Sequence, residues 1–474
     1  MMGMFYIRFV GDGRIKNLAH DYSKWLLINL FLFDCIKTYR MAVSVIRNYR
    51  WLIVILLFFA TTINYLDRQI IGLLKPVLEK EFNWTETNFA HIVMAFTASY
   101  AIGLISLGWL IDKIGTKLGY SITIIFWSIA GMLHAFAKSA FGFGVARVGL
   151  GLGEAGNYPA AMKAVAEWFP NKERALATGI FNMGTSVGVV IALLIVPLIL
   201  NFYGWQEVFL ITGSLGFVWL IFWWRFYTVP SKQKRLSAEE HALITGGQDE
   251  EKAIVKEHNP VRWKKLFTFP QTWAYITGKA LIDPIYWFFL FWLPSYFSST
   301  FHLDMTKPNL QLMIIYAATT IGSFGGGYFS SLLIRKGWPV LKARKMALLI
   351  FAMLEVSIIL AQFANNSWSA VALISIAVAA HQAWATNIFT TASDMFPKEA
   401  VSSVVGIGGM AGAVGGILFP MLVGSLLDTY KAAGNLQGGY NLLFTICGFT
   451  YLFALAIIHL FTRNFKKVKL SELQ

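Results

Sequence analysis

The feature that most constrains this chain is an apolar run long enough to cross a bilayer, repeated twelve times between short polar segments. A spanning helix needs about 20 mainly apolar residues, and lipid offers its backbone no hydrogen-bond partner outside the helix. The approximate limits of the runs are 51–74, 88–111, 118–137, 141–163, 174–200, 206–227, 271–297, 309–334, 344–363, 367–392, 400–427 and 440–462. The sequence therefore predicts an all-α polytopic membrane protein with twelve transmembrane helices.

The composition supports a membrane protein and argues against a nucleic-acid partner. Mean hydropathy is +0.57. Charged residues make up 14% of the chain, whereas soluble domains contain about 25%. The formal net charge of +15 comes from Lys and Arg in loops between apolar runs, so we interpret it as a topology signal. Cys35 and Cys447 are the two cysteines, and they imply no disulfide framework.

A polar stretch divides the twelve runs into two sets of six. It reads as a solvated linker with a short surface helix. The predicted parts are a leader (1–46), a first half (47–227), the linker (228–267), a second half (268–463) and a tail (464–474). The leader holds an apolar run, Trp25–Phe33, that is too short to span a bilayer. It is either a surface helix or the result of an upstream start, with Met41 the first residue.

Loop charges predict the orientation. The linker, the other loops on its side and the tail contain 24 Lys and Arg, whereas the opposite loops contain 5. Because cytoplasmic loops carry the excess of positive charge, we expect both termini and the linker in the cytoplasm. The expected location is the inner, or plasma, membrane of a bacterium.

An internal repeat relates the two halves. Glu167–Pro170 reads Glu-Trp-Phe-Pro, and Asp394–Pro397 reads Asp-Met-Phe-Pro, 227 positions later. Gly179 and Gly406 keep the same offset. Repeated halves are typical of secondary transporters, so we expect two pseudo-symmetric six-helix halves.

Asp67 and Arg68 lie side by side near the end of the first apolar run. A charge at the bilayer centre costs roughly 2.5–3.5 kcal/mol on insertion scales, so such residues are usually functional or lie at a helix end. One interpretation is that this pair only marks where the helix leaves the lipid. Charges within other spans favour a functional site inside the membrane.

Span four carries Arg147 and Glu154, which are seven residues apart and therefore share a helix face. Tyr158 is expected one turn further along that face. Glycines between the charges allow another helix to pack closely. The alternative is a structural ion pair that ties two helices together.

Span seven carries Lys279 and Asp283 on one face, followed by Pro284 and Tyr286. Proline should break or kink the helix, which is tolerated at membrane depth where the backbone lines a cavity. The alternative is that Lys279 and Asp283 only neutralise each other.

Span ten carries His381 and Gln382. A lone intramembrane histidine is equally well explained as a satisfied hydrogen-bonding residue. We expect Glu355, in span nine, at a lipid-facing or packing position and assign it no role.

The loop between spans two and three, Gly108–Lys117, resembles the signature loop of the major facilitator superfamily. The residues assigned to gating are Gly108, Asp112, Lys113 and Gly115. Gly108 is expected to let helices approach closely. Asp112 is expected to accept a hydrogen bond from a helix N-terminus or from an arginine of the other half, which would close the cytoplasmic side. Alternatively, Asp112 is a solvated loop charge.

Residues 47–462 together resemble the anion:cation symporter branch of that superfamily and, within it, the hexuronate transporters. The resemblance is carried by Tyr65, Asp67, Arg68, Arg147, Glu154, Glu167–Pro170 and Asp283-Pro284. It implies proton-coupled uptake of a sugar acid such as galacturonate or glucuronate, with the proton as the coupled ion and no cofactor. The chain is expected to act as a monomer in the lipid bilayer, with a small organic anion as its ligand.

The resemblance also implies residue roles. Arg68 would hold the substrate carboxylate, and Asp67 and Glu154 would carry protons. The other residues expected to bind substrate are Tyr65, Tyr100, Arg147, Lys279, Asp283, Tyr286, His381 and Gln382. Physical chemistry agrees, because a buried anion needs a fixed cation and arginine offers a carboxylate two parallel donors.

Other classes of protein fit less well. A primary pump would need a phosphate-binding G-x-x-x-x-G-K-[ST] loop, and the sequence has none. Gly184–Gly188 fits the hydrolase pattern G-x-S-x-G but lies inside an apolar helix, so we expect no enzyme. A symporter of another organic anion (an aldonate or aldarate) and a non-transporting sugar-acid sensor remain as alternatives.

Overall fold

The computed structural model describes residues 48–244 and 263–463, together with residues 468 and 472, and within them every regular element is helical. The leader (1–46), part of the linker and most of the tail lie outside the described residues. The helices are α1 Tyr49–Phe82, α2 Glu86–Ile114, α3 Thr116–Leu133, α4 Ala140–Glu154, α5 Asn157–Trp168, α6 Asn171–Phe202, α7 Trp205–Phe226, α8 Trp263–Leu266, α9 Pro270–Ala280, α10 Asp283–Phe301, α11 Leu310–Arg335, α12 Val340–Glu355, α13 Ser357–Leu360, α14 Ser367–Met395, α15 Lys398–Ala432 and α16 Leu436–Phe461.

Eleven of the twelve predicted spans are helical segments long and apolar enough to cross a membrane, counted over the described residues. The fourth is split into α4 and α5. The break falls at Ala155 and Gly156, and Pro159 lies in the first turn of α5, where a helix tolerates proline. A Cβ at Gly153 would lie 2.7 Å from the backbone nitrogen of Trp127, so only glycine lets α4 pack this closely on α3.

The repeat seen in the sequence is a repeat of backbone conformation. α6 begins at Asn171 and α15 at Lys398, which keeps the offset of 227 residues. Each helix follows a proline with nearly the same dihedral angles: Pro170 has φ −64° and ψ 153°, and Pro397 has φ −67° and ψ 155°.

The acidic residue that begins each repeated motif, Glu167 or Asp394, also contacts the same part of its own half. Glu167 accepts a hydrogen bond from Thr116 at the start of α3 (2.6 Å), and Asp394 pairs with Arg344 near the start of α12 (2.9 Å). In both halves, therefore, a carboxylate at the end of the fourth span anchors the third span of the same half.

The linker packs onto the first half. Residues 238–244 are helical, and Glu240 in this stretch accepts hydrogen bonds from the backbone nitrogens of Tyr49 (2.9 Å) and Arg50 (3.0 Å). It also pairs with the Arg50 side chain at 3.1 Å. An acidic side chain at a helix N-terminus satisfies donors that have no partner within the helix. The predicted surface helix of the linker thus caps α1.

Within the described residues, the main contacts between the two halves are made by the helix pairs α2 with α15, α1 with α10, and α6 with α11. The seventh span breaks as the sequence predicts, because α9 ends at Ala280 and Pro284 lies in the first turn of α10. The helix that begins after this break, α10, packs against α1, the helix of Asp67 and Arg68.

Candidate substrate site and gates

Arg68 lies at the centre of the charged residues of the first half. Its side chain is buried, at 2% exposure, and therefore does not mark the end of a span. Its Nε donates to Glu154 Oε2 at 2.9 Å, and its Nη2 lies 2.9 Å from the same oxygen. Nη2 also donates to Asn64 Oδ1 at 3.2 Å. The counter-ion of Arg68 is thus Glu154 on α4 and not Asp67, its neighbour in sequence.

Four aromatic rings surround the guanidinium group of Arg68. The centroids lie 4.5 Å (Tyr65), 4.8 Å (Tyr100), 5.2 Å (Phe96) and 5.5 Å (Trp287) from its central carbon. A cation over an aromatic face is stabilised, more so when it is desolvated. Because Trp287 belongs to the second half, this aromatic box joins both halves around one cation.

Arg147 and Asp67 lie beside this pair. Arg147 is buried and donates from Nη2 to the backbone oxygen of Arg68 at 3.3 Å. Its Nε and Nη1, and both carboxylate oxygens of Asp67, have no hydrogen-bond partner among the described residues. The site therefore holds a second arginine with free donors and a second buried acid.

Tyr158 lies beyond a break in span four but still adjoins the site, because it interacts electrostatically with Tyr65 and Tyr100. The helix breaks between Glu154 and Asn157, and Tyr158 is 45% exposed with its ring against Phe181.

The second half contributes Tyr286 and His381. Their rings stack at 5.1 Å, and His381 Nδ1 lies 2.6 Å from the hydroxyl oxygen of Tyr451. Tyr286 interacts with Gln382 and, across the junction, with Tyr65 and Arg68. These predicted residues therefore lie at one site.

Lys279 and Asp283 pair with each other at 2.7 Å across the break in span seven. Lys279 Nζ also lies 4.3 Å from the centroid of the Phe389 ring. This geometry matches the alternative in which the two charges neutralise each other.

Three residues at the site were not assigned to it from the sequence: Phe96, Trp287 and Tyr451. Phe96 precedes Tyr100 by one helical turn, and Trp287 follows Tyr286 directly, so a search for aromatic neighbours on the same helices would have found them. Nothing in the sequence around Tyr451 links it to His381.

The signature loop has the predicted turn but a different partner for its acid. Gly115 joins α2 to α3 at φ +86°, a conformation that favours glycine. Asp112, with its side chain 76% exposed, pairs with Lys163 of the same half at 2.9 Å. Lys113 lies 5.0 Å from the ring centroid of Trp109. A Cβ at Gly108 would meet no atom within 4 Å, so the close helix approach predicted there is absent.

On the side opposite the linker, the two halves are joined by what we term the Asp428 clasp. Asp428 of α15 accepts hydrogen bonds from the backbone nitrogens of Glu86 and Thr87, both at 2.7 Å, at the start of α2. Lys431, one turn later, pairs with Glu79 at the end of α1. An acidic residue of one half thus caps a helix of the other half.

A buried polar cluster lies beneath the clasp. Lys75 donates to Glu86 at 2.6 Å and to Ser295 of the second half at 2.9 Å, and Trp292 donates to Glu86 at 3.1 Å. Lys75 is one of the five positive charges that the sequence assigns to the loops opposite the linker, but it lies inside α1 and is buried. These contacts close the molecule on the side away from the linker, whereas Asp112 and Arg344 on the linker side pair within their own halves.

Glu355 is fully buried rather than facing lipid, and neither of its carboxylate oxygens has a partner among the described residues. It lies at the end of α12, where it interacts electrostatically with Tyr451 and Cys447 of α16.

Comparison of the sequence with known proteins identifies the family of this chain. The model of the Major Facilitator Superfamily matches residues 57–420. The hexuronate transporter of Escherichia coli (strain K12) is 29% identical over 428 residues, which cover 90% of this chain and 97% of the relative. The galacturonate transporter of Dickeya chrysanthemi is 31% identical over 66% of this chain and 90% of its own length. The probable galactarate/D-glucarate transporter of Escherichia coli (strain K12) is 30% identical over 86% and 95%.

Solved structures agree on the fold. A bacterial homolog of the human lysosomal transporter Spinster superposes with a TM-score of 0.70 at 20% identity, covering 90% of this chain and 98% of that one. The D-xylose-proton symporter gives a TM-score of 0.67 at 15% identity, covering 90% and 99%. The two six-helix halves, the signature loop and the charged junction are thus those of a transporter rather than an enzyme, and the chain belongs to the major facilitator superfamily, in its branch of sugar-acid transporters.

Proposed function

We propose that this protein is a proton-coupled symporter that brings a hexuronate, such as galacturonate or glucuronate, into the cell by alternating access. The observation that carries the proposal is the Arg68–Glu154 ion pair at the junction of the halves, inside an aromatic box to which both halves contribute. The relatives named for hexuronate and galacturonate support this class of substrate.

The coupling follows from competition for one cation. Glu154 occupies donors of Arg68 that could otherwise form parallel hydrogen bonds to a substrate carboxylate. Protonation of Glu154 removes that competitor, and a bound substrate carboxylate in turn leaves Glu154 free to keep its proton. Proton and substrate binding then favour each other, as symport requires.

Asp67 is the second proposed proton carrier. A buried charge is costly unless it is paired, so a carboxyl at this position beside Arg147 suits a group that binds a proton and releases it when Arg147 or the substrate rearranges. The aromatic rings of Tyr65, Tyr100 and Tyr286 suit the apolar face of a sugar ring, and their hydroxyl groups suit its hydroxyls.

The proposed orientation places the linker and both termini in the cytoplasm of a bacterium, because positive charge is concentrated in the loops on the linker side. The Asp428 clasp then closes the outer side, so the structure corresponds to an inward-facing state. In this account the protein acts as a monomer without a cofactor, and the proton is its coupled ion.

A second candidate substrate is an aldarate, which carries a carboxylate at each end. This candidate is supported by Arg147, which is buried beside Arg68 and has two nitrogens without a hydrogen-bond partner among the described residues. Arg147 could therefore bind the second carboxylate. A relative named as a probable galactarate/D-glucarate transporter is 30% identical to this chain.

The test is uptake of labelled galacturonate, galactonate, galactarate and galactose into proteoliposomes with an imposed proton gradient. We expect galacturonate to accumulate and galactose not to, because a neutral sugar leaves Arg68 without a carboxylate. Glu154→Gln should abolish accumulation while exchange of substrate across the membrane continues, since exchange needs no net proton movement. Arg68→Lys should bind galacturonate much more weakly, because lysine keeps the charge but loses the planar fork.

Matched controls exist in the Arg50–Glu173 pair, which lies on the linker side outside the site. Glu173→Gln and Arg50→Lys make the same chemical changes and should leave coupling and binding intact. Equal uptake of galacturonate and galactose, or gradient-driven accumulation by Glu154→Gln, would refute the proposal. Preferred uptake of galactarate would favour the aldarate, and binding without any uptake or exchange would favour a sensor.

A further inference from the structure

We propose that a groove between α12 and α16, on the outer surface of the second half, is a binding site for an anionic phospholipid. The groove has a volume of about 580 Å³ and lies near the start of α12 and the end of α16. Both of these ends are on the linker side, so the lipid would come from the cytoplasmic leaflet. The leaflet assignment rests on the orientation proposed above, whereas the substrate and its coupling play no part.

One end of the groove is basic. Lys342, Lys345, His459 and Arg463 line it, and no acidic residue is found among the described residues of its lining. Lys345 Nζ donates to the backbone oxygen of Thr462 at 3.0 Å and lies 3.4 Å from His459 Nδ1. These contacts fix the ammonium group at the mouth of the groove.

Two more features of this end suit a phosphate. Lys342 is exposed, with its Nζ 5.2 Å from the ring centroid of Trp338, and tryptophan is enriched at the level of lipid headgroups. Lys342 and Lys345 both lie in the first two turns of α12, which begins at Val340, and the partial positive charge of a helix N-terminus adds to theirs.

The other end of the groove is apolar. Leu349, Leu452, Leu455 and Ala456 form its walls, and Leu349 is 41% exposed on the surface that faces lipid in a spanning helix bundle. A free phosphate ion would use only the basic end. A phospholipid uses both, because its acyl chain follows the leucines while its phosphate contacts the lysines.

Charge complementarity selects the class of lipid. The groove contains three Lys and Arg side chains, which would repel the positively charged group of a zwitterionic headgroup. The same side chains would attract phosphatidylglycerol and cardiolipin, because these lipids carry net negative charge. Basic pockets between spanning helices on the cytoplasmic side are a recognised setting for anionic headgroups.

The experiment is native mass spectrometry of the full-length protein in detergent, titrated with phosphatidylglycerol or phosphatidylcholine. We expect phosphatidylglycerol to be retained at least tenfold more tightly by the parent. The groove variant, Lys342→Gln with Lys345→Gln and Arg463→Gln, should lose this preference. The control variant, Lys232→Gln with Arg335→Gln and Lys336→Gln, removes the same charge on the same side but outside the groove and should keep it.

A second variant and a thermal measurement keep the test decisive if the groove variant folds poorly. Leu455→Trp fills the apolar end, leaves every charge in place, and should also weaken binding of phosphatidylglycerol. Phosphatidylglycerol should raise the Tm of the parent more than inorganic phosphate does at the same concentration. Equal retention of both lipids by the parent, equal stabilisation by inorganic phosphate, or the same loss in the control variant as in the groove variant would overturn the proposal.

Discussion

Asp428→Asn is expected to shift the protein from the structure described here towards a state open on the side away from the linker. Asp428 contributes two hydrogen bonds of 2.7 Å between the halves, to the backbone nitrogens of Glu86 and Thr87. Asparagine keeps one acceptor oxygen but presents an NH₂ group to the second backbone donor. It also removes a negative charge from a helix N-terminus.

The size of the shift follows from these two bonds. A hydrogen bond to a charged group contributes about 1.5–3 kcal/mol. Because Asp428 is partly exposed, we take the lower end of this range. The variant should therefore destabilise the closed state, relative to the open state, by about 1.5 kcal/mol. Since about 1.4 kcal/mol is a factor of ten, the ratio of open to closed molecules should rise roughly tenfold.

The assay is a pulsed electron spin resonance distance between labels at Glu81 and Ala433, in a variant without Cys35 and Cys447. These exposed labelling positions lie at the same end of the molecule, one in each half. Asp428→Asn should transfer part of the distance distribution to longer separations. Asp304→Asn is the matched control, because Asp304 lies on the same side and bonds Thr306 of its own loop. If both variants give the parent distribution, the clasp does not hold this side closed.

Three further predictions test the packing. Gly326→Ala should lower the Tm, because its Cβ would overlap the backbone of span ten. Gly325→Ala is the control and should leave the Tm unchanged or raise it, because a Cβ there would meet no atom within 4 Å. The same change in Tm for both variants would contradict this contact. Gly115→Ala should destabilise the protein by about 1–3 kcal/mol in denaturant titrations, because φ is +86° and ψ is 157°, a region that is essentially restricted to glycine. An unchanged midpoint would show that the turn relaxes. Glu355→Met should raise the Tm without loss of uptake, because it removes a buried carboxyl that has no hydrogen-bond partner among the described residues. Loss of uptake in this variant would instead show that Glu355 has a role in transport.

Much of the fold could be predicted from the sequence because its signals are local. Apolar runs specify helices of spanning length wherever lipid is the solvent, and the polar stretch 228–267 separates the two sets of six. The repeat between Glu167–Pro170 and Asp394–Pro397 predicted two pseudo-symmetric halves, and the matching backbone angles of Pro170 and Pro397 agree with this prediction. The break at Pro284 likewise follows from the chemistry of one residue.

Contacts between distant helices could not be predicted in this way. Asp67 is adjacent to Arg68 in sequence, but consecutive residues of a helix point in different directions, so the counter-ion of Arg68 comes from Glu154, 86 residues away. Span four was similarly predicted as one continuous run over 141–163, whereas the structure breaks it at Ala155 and Gly156.

The sequence by itself determined the order of the spans and which of them carry Arg68, Arg147, Glu154 and Asp283. Only the tertiary structure decided the pairings: Glu154 with Arg68, Trp287 over the same guanidinium group, and Asp428 with the start of α2. The physical reason is that a spanning helix is specified by its own residues and the lipid. The partner of a buried charge instead depends on how two separately formed helices pack, and this packing cannot be predicted from the residues of either helix alone.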